Sequence, residues 1–264
     1  MSEQTSRRAA LVAAVLLFGC RSTHSDLLIA GGEPVPAHEA HASASVALMS
    51  TGSPPQPFCS GVLLRRDLVL TAAHCIDGAE VTVGLGPDMS TPRQLIKGRA
   101  VRHESYGAPY NEAFSFDLAL VLLAQPVPSE TRLVPLGTAQ DLRPGGHLTL
   151  TGFGVTSPAA ATTTPPDNAR LLQVEVTLAR VYDPDGEDVS EYGLIVSRAA
   201  RREAGACSGD SGGPVFAHTP AGMRLVAITV GGMGPCNQEG FHTSIPFYRD
   251  WIDQAERQLR QQRN

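Results

Sequence analysis

Cys207-Ser208-Gly209-Asp210-Ser211-Gly212-Gly213-Pro214 sets one serine among three glycines and a proline, with an aspartate just before it. Glycine lets the backbone turn where a Cβ would clash, so a tight loop of this composition can aim amide N–H groups at one point. A serine hydroxyl is a poor nucleophile at neutral pH. It needs a base to take its proton and donors for the oxyanion it creates. The glycine-rich turn supplies donors, and the base must come from elsewhere in the chain. A lone glycine-serine turn would be ordinary, so the reading rests on the partners.

Composition narrows the field. The chain has 264 residues, 42% hydrophobic and 18% charged, which describes a folded protein of one large or two small domains. Its 26 glycines and 20 prolines argue for many turns and short strands. A net charge of −5, few aromatics and no long basic run exclude a nucleic-acid-binding surface. Of the five cysteines, Cys59, Cys75, Cys207 and Cys236 pair off by position, and Cys20 is left over.

Residues 1–20 read as a signal peptide: Arg7 and Arg8 precede an apolar run that ends at Gly19-Cys20. The run is shorter than the ~20 residues of a membrane span. Leu17-Phe18-Gly19-Cys20 resembles a bacterial lipobox, which marks Cys20 for lipidation and the protein for export, either anchored to the cell envelope or free outside the cell. Residues 21–28 form a propeptide-like segment. Strand-like stretches follow at 45–49, 62–64, 68–71, 81–85, 117–123, 147–151, 171–178 and 224–230. Residues 156–168, rich in Ala, Thr and Pro, read as a surface loop, and residues 183–188 as a solvated acidic loop without the full calcium-ligand pattern. Pro246 opens a helical pattern in which Phe247, Trp251, Ile252, Ala255 and Leu259 share a face, with Arg257 and Arg260 in water. Many short strands and one terminal helix indicate an all-β architecture.

His74, Asp117 and Ser211 occur in that order, each in a fitting context. His74 can take the Ser211 proton and return it to a leaving group. Asp117 opens a buried strand, where it can fix the imidazole tautomer. The amides of Gly209 and Ser211 can face the oxyanion. Thr71-Ala72-Ala73-His74-Cys75, Asp117-Leu118-Ala119-Leu120 and Gly209-Asp210-Ser211-Gly212-Gly213-Pro214 together resemble the trypsin/chymotrypsin family of serine proteases. The likeness runs from about Ile29 to Ile252. It implies two six-stranded Greek-key β-barrels, residues 29–130 and 131–264, with a C-terminal helix and an active site between them. It also implies a serine endopeptidase acting on protein or peptide substrates through an acyl-enzyme, with no cofactor.

The same resemblance implies disulfides Cys59–Cys75, beside the histidine, and Cys207–Cys236, bracing the substrate pocket; both need an oxidising compartment. It places Gly205 at the pocket base and Gly232 and Gly240 on its walls. Trypsin-like members carry an aspartate at the base. Gly205 leaves a buried cationic side chain unpaired, so an apolar P1 residue is expected. Ile29-Ala30-Gly31-Gly32 resembles the activated N-terminus whose ammonium pairs with the aspartate before the serine, here Asp210. Leu28, ahead of the cut, departs from the usual Lys or Arg. Val230 and Gly231 fall where the family usually has a Ser-Trp pair, which implies an altered groove.

The alternative is a non-enzymatic binding module on a protease-like scaffold. Such chains typically lose a triad member, and all three are present here. An esterase is a narrower rival that would use the same acyl transfer. No metal site is expected: His38 and His41 flank Glu39 without HExxH spacing and read as surface histidines.

Overall fold

A computed structural model of the chain describes residues 29–108, 114–157, 169–181, 193–200, 204–233, 236 and 239–263. Cys20, the segments 1–20 and 21–28, the acidic loop 183–188 and most of the loop 156–168 lie outside the described residues. Within them, no helix is long and apolar enough to cross a membrane.

The chain begins with the short strand β1 (Glu33–Pro34) and the single-turn helix α1 (Ala40–Ala44). Then come β2 (Ser45–Met49), β3 (Pro57–Arg65), β4 (Leu68–Thr71), β5 (Glu80–Leu85), β6 (Gln94–Arg102) and β7 (Ala119–Leu123). The last six close into a barrel in the order β2-β3-β4-β7-β6-β5, sealed by β2 against β5 with Ala47 opposite Gly84. Every residue of β2, β4 and β7 is buried, as their unbroken apolar runs require. Closure leaves no unpaired edge on these strands.

The second barrel holds β8 (His147–Gly152), β9 (Leu172–Val181), β10 (Leu194–Ala199), β11 (Pro214–Thr219), β12 (Gly222–Met233) and β13 (Glu239–Ser244). They run β9-β10-β13-β12-β11-β8, and β8 pairs back onto β9 to close the ring. The alternation in β9 is visible in its burial: Leu172, Val174, Val176 and Leu178 face the core while Glu175 faces water. β1 adds to β9, with Glu33 opposite Gln173, so the first described residues lie against the second barrel. The fold is therefore two closed six-stranded antiparallel barrels with a C-terminal helix.

That helix, α2 (Arg249–Arg263), starts three residues later than the sequence suggests, because Pro246 and Phe247 sit in a preceding turn. Ile252, Ala255 and Leu259 are buried as expected, whereas Phe247 is 41% exposed. Arg260 is not simply solvated. It clasps Asp67 in the β3–β4 turn with bonds of 2.8 and 2.9 Å and reaches Glu256, which also binds Arg65. This pairing holds the Asp67 carboxyl below its ordinary pKa and ties the helix to the first barrel. His41 also departs from expectation: α1 turns it inward, 5% exposed, against Phe216 and the Gln173 side chain. His38 is exposed.

Candidate active site

Two adjacent strand ends bring His74 and Asp117 together. In the β4–β7 pairing Thr71 lies opposite Ala119, so the chain leaving β4 passes the residues entering β7. Ala73–Cys75 then makes one 3-10 turn, and the Cys59–Cys75 disulfide fastens that turn to β3. Between these anchors the His74 ring points outward, one-third exposed, while the Asp117 side chain is 3% exposed. One Asp117 oxygen accepts the His74 backbone N–H at 2.9 Å; the other accepts Nδ1–H at 2.6 Å. A buried carboxylate on Nδ1 selects the tautomer with Nε2 unprotonated, leaving a lone pair on the exposed side of the ring. The Cys59 and Cys75 sulfurs lie near His74, but they are bonded to each other and offer no thiolate to a metal.

The serine loop can be followed peptide by peptide. The Ser208 carbonyl accepts Val155 N–H (2.8 Å), and the Gly209 carbonyl accepts the Ser60 hydroxyl (2.8 Å). Asp210 N–H donates to Cys207, the Asp210 carbonyl accepts Gly213 N–H, and the Ser211 carbonyl accepts Ser60 N–H (2.8 Å). Gly212 N–H donates to Thr229, whose own N–H returns to the Gly213 carbonyl. Among the described residues, no acceptor takes the amide hydrogens of Gly209 and Ser211. Ser208 N–H also lacks one, but Ser208 is exposed to water; the amides of Gly209 and Ser211, two residues apart, are donors that can meet an anion. Gly209 has φ +97°, a conformation that a side chain would oppose.

Ser211 is partly exposed, and its carbonyl lies 3.6 Å from the Cys75 sulfur, which places the serine beside the residue that follows His74. No hydrogen bond joins Ser211 Oγ to His74 among the described residues. Gly209–Gly213 fits the pattern G-x-S-x-G in letters, but the chain runs from this turn into strand β11. An esterase-type nucleophile elbow leads from a strand into a helix, so the structure separates the two.

Asp210 is buried, its carboxylate held by the amides of Gly154 and Cys207 at 2.8 Å each. A Cβ on Gly152 or Gly154 would come within 2.4 Å of that carboxylate, so two glycines open the space it fills. Burial pushes its pKa up to about 7, against the pull of the two amides. Beside it, Ala30 packs with Val155, Cys207 and Cys236, and its carbonyl accepts Gly205 N–H at 2.9 Å.

Gly232 and Gly240 lie opposite each other across β12 and β13, and the Cys207–Cys236 disulfide ties the segment after Gly205 to the turn after Gly232. The sequence did not reveal what stands behind Gly240. Fully buried His242 bonds Ser197 Oγ through Nε2 (2.7 Å) and Thr229 Oγ1 through Nδ1 (3.2 Å). Burial drives its pKa down to about 3, so it stays neutral. Gly231 is also covered: the Phe114 ring lies where its Cβ would project and stacks on Phe241 with centroids 5.2 Å apart. An aromatic ring from another segment thus fills the space left by the missing side chain. Ser60 was likewise missed, because a serine after Cys59 in a strand carries no motif.

The family model described as Trypsin matches residues 29–252. Among curated proteins, human kallikrein-8 is 29% identical, covering 90% of this chain and 91% of its own. The alpha-fibrinogenase albofibrase of Trimeresurus albolabris is 28% identical over 86% and 87%, and the trypsin of Sarcophaga bullata 28% over 76% and 80%. The solved structure described as "Atomic resolution structure of HBP" superposes with a TM-score of 0.67 at 21% identity, covering 86% of this chain and 96% of that one. This last likeness bears on the fold alone.

Proposed function

The chain belongs to the trypsin family, and from that premise we propose that it is a serine endopeptidase using Ser211 as nucleophile, His74 as general base and acid, and Asp117 as the group that orients the imidazole. The observation that carries this reading is the 2.6 Å bond from His74 Nδ1 to buried Asp117, beside a serine loop in which the amides of Gly209 and Ser211 have no acceptor among the described residues. Ser211 Oγ attacks the scissile carbonyl carbon and its proton passes to His74 Nε2. The carbonyl oxygen becomes an oxyanion held by the amides of Gly209 and Ser211. Collapse expels the amine, which takes the proton from His74 and leaves an acyl-enzyme. Water, deprotonated by the same nitrogen, then releases the acid. The substrate is a protein or peptide, and the chemistry calls for no cofactor.

The pocket at Gly205, Gly232 and Gly240 takes an apolar P1 side chain. These three glycines bring no charge to pair with Lys or Arg, and His242 behind Gly240 is neutral with both ring nitrogens engaged. Profiling on a peptide library should give cleavage mainly after apolar residues; predominant cutting after Lys or Arg would overturn the assignment.

Activation runs through a cut between Leu28 and Ile29, whose new ammonium pairs with Asp210. The buried carboxylate, with no cation paired to it among the described residues, supports this. So does the packing of Ile29 and Ala30 against the chain leading into the loop. Asp210 has a folded pKa of about 7 against an ordinary 3.8, so the uncut folded chain binds more protons than the unfolded chain between those values. Its contribution therefore makes stability fall as pH rises from about 4 to 7, by up to ~1.4 kcal/mol per unit. An ammonium partner lowers that pKa and removes the slope. Urea midpoints from pH 5 to 7.5 should therefore diverge between uncut protein and protein sequenced to begin at Ile29. Parallel profiles, or full activity in a chain that still begins at Cys20, would count against this activation. With Cys20 lipidated after export, the same cut would also release the enzyme from its anchor.

A further inference from the structure

The loop that carries Ser211 is gripped from the opposite barrel by one residue. Ser60, 1% exposed on β3, donates its hydroxyl to the Gly209 carbonyl at 2.8 Å and accepts Phe153 N–H at 2.9 Å. Its backbone N–H donates to the Ser211 carbonyl (2.8 Å), and its own carbonyl accepts the Thr71 hydroxyl (2.8 Å). Ser60 therefore touches Gly209 and Ser211, the two residues whose amides are assigned to the oxyanion, and it links them to β4, three residues before His74. Phe153 precedes Gly154, whose amide holds Asp210.

We propose that Ser60 is a positioning residue for the oxyanion site, its hydroxyl fixing the direction in which the Gly209 amide points. Gly209 has no Cβ to restrain it and sits at φ +97°, so its N–H keeps one orientation only if the peptides on both sides are tied. Val155 ties the preceding peptide through the Ser208 carbonyl. The Ser60 hydroxyl ties the following one. Without it, the Gly209 carbonyl and Phe153 N–H lose their partner, the following peptide is held only by Asp210 N–H on Cys207, and the glycine gains freedom to tilt the amide away from a developing oxyanion. This inference rests on the protease reading above. It adds to that reading a contribution from the first barrel which none of the three triad side chains makes.

The test compares Ser60→Ala with Ser60→Thr, which keeps the hydroxyl. Rates are counted per active site titrated with an organophosphonate, so that unfolded protein does not enter. S60A should lower kcat about tenfold with KM within twofold. It should weaken a peptide boronate, which loads the oxyanion site, by the same factor as kcat, while a product peptide binds as before. S60T should recover to within about threefold of wild type. If S60A yields no folded protein, S60T against Ser60→Val gives the same comparison between two side chains of one shape. Wild-type kcat in the hydroxyl-free variant, equal losses for boronate and product peptide, or S60T as impaired as S60A would each overturn the proposal. A folded wild-type protein that begins at Ile29 and takes no organophosphonate at all would instead sink the protease reading, and the role of Ser60 with it.

Discussion

Ser211→Ala is expected to lower kcat/KM for peptide hydrolysis by about 10⁵–10⁶-fold and to leave the fold intact. The size of the loss follows from the mechanism: without Oγ there is no acyl-enzyme, and the His74 base has nothing to activate. A residual rate above that of water should persist, because the Gly209 and Ser211 amides still face the substrate carbonyl. The side chain is partly exposed and makes no hydrogen bond within the described residues, so its removal should shift the melting temperature little. Steady-state kinetics and thermal unfolding on the same preparation check both halves. A loss smaller than tenfold would mean that hydrolysis proceeds elsewhere.

Asp117→Asn should cost about 10⁴-fold in kcat near neutral pH, with KM much less affected. Asparagine has the shape of aspartate and can still accept the His74 backbone N–H, now bonded at 2.9 Å to one carboxylate oxygen. Its NH₂ group, however, is a donor placed where Nδ1–H now donates at 2.6 Å. Two donors cannot share that contact, so the imidazole shifts its proton to Nε2 and cannot take one from Ser211. The imidazolium formed during reaction also loses its buried counter-charge. A near-normal kcat in D117N would show that the carboxylate does not set the tautomer.

These two predictions concern residues that were legible in the sequence, and the reason is local. His74, Asp117 and Ser211 each sit in a short stretch whose composition suits the role of the residue it holds. An apolar strand end precedes His74, an unbroken buried strand follows Asp117, and glycines surround Ser211. The cysteine pairs were legible through the resemblance that the motifs beside them carry, and β2 by its short apolar run. β6 was not, because Lys97 and Arg99 interrupt its apolar residues and pairing to β5 and β7 decides its conformation.

What remained hidden depends on contacts between distant segments. Ser60 meets Gly209 across 149 positions, and nothing around Cys59 announces it. Val230 and Gly231 read as an altered groove. The structure places the Phe114 ring, just ahead of Asp117 in the chain, over Gly231. His242 carried no motif, and its meaning comes from Ser197 and Thr229 on the two strands flanking β13. His41 was read as a surface residue because it and His38 flank Glu39 without HExxH spacing, yet one turn of helix carries it onto Phe216. Periodicity and motif report what a residue's neighbours in sequence impose. They are silent on what barrel closure and barrel contact bring from afar.

The most direct measurement is to treat the folded protein, cut to begin at Ile29, with a fluorophosphonate and map the adduct by mass spectrometry, for wild type and for His74→Ala. One equivalent on Ser211, lost or strongly slowed when the imidazole is removed, is the predicted result. Modification of a different serine, or a Ser211 adduct forming equally fast without His74, would contradict it.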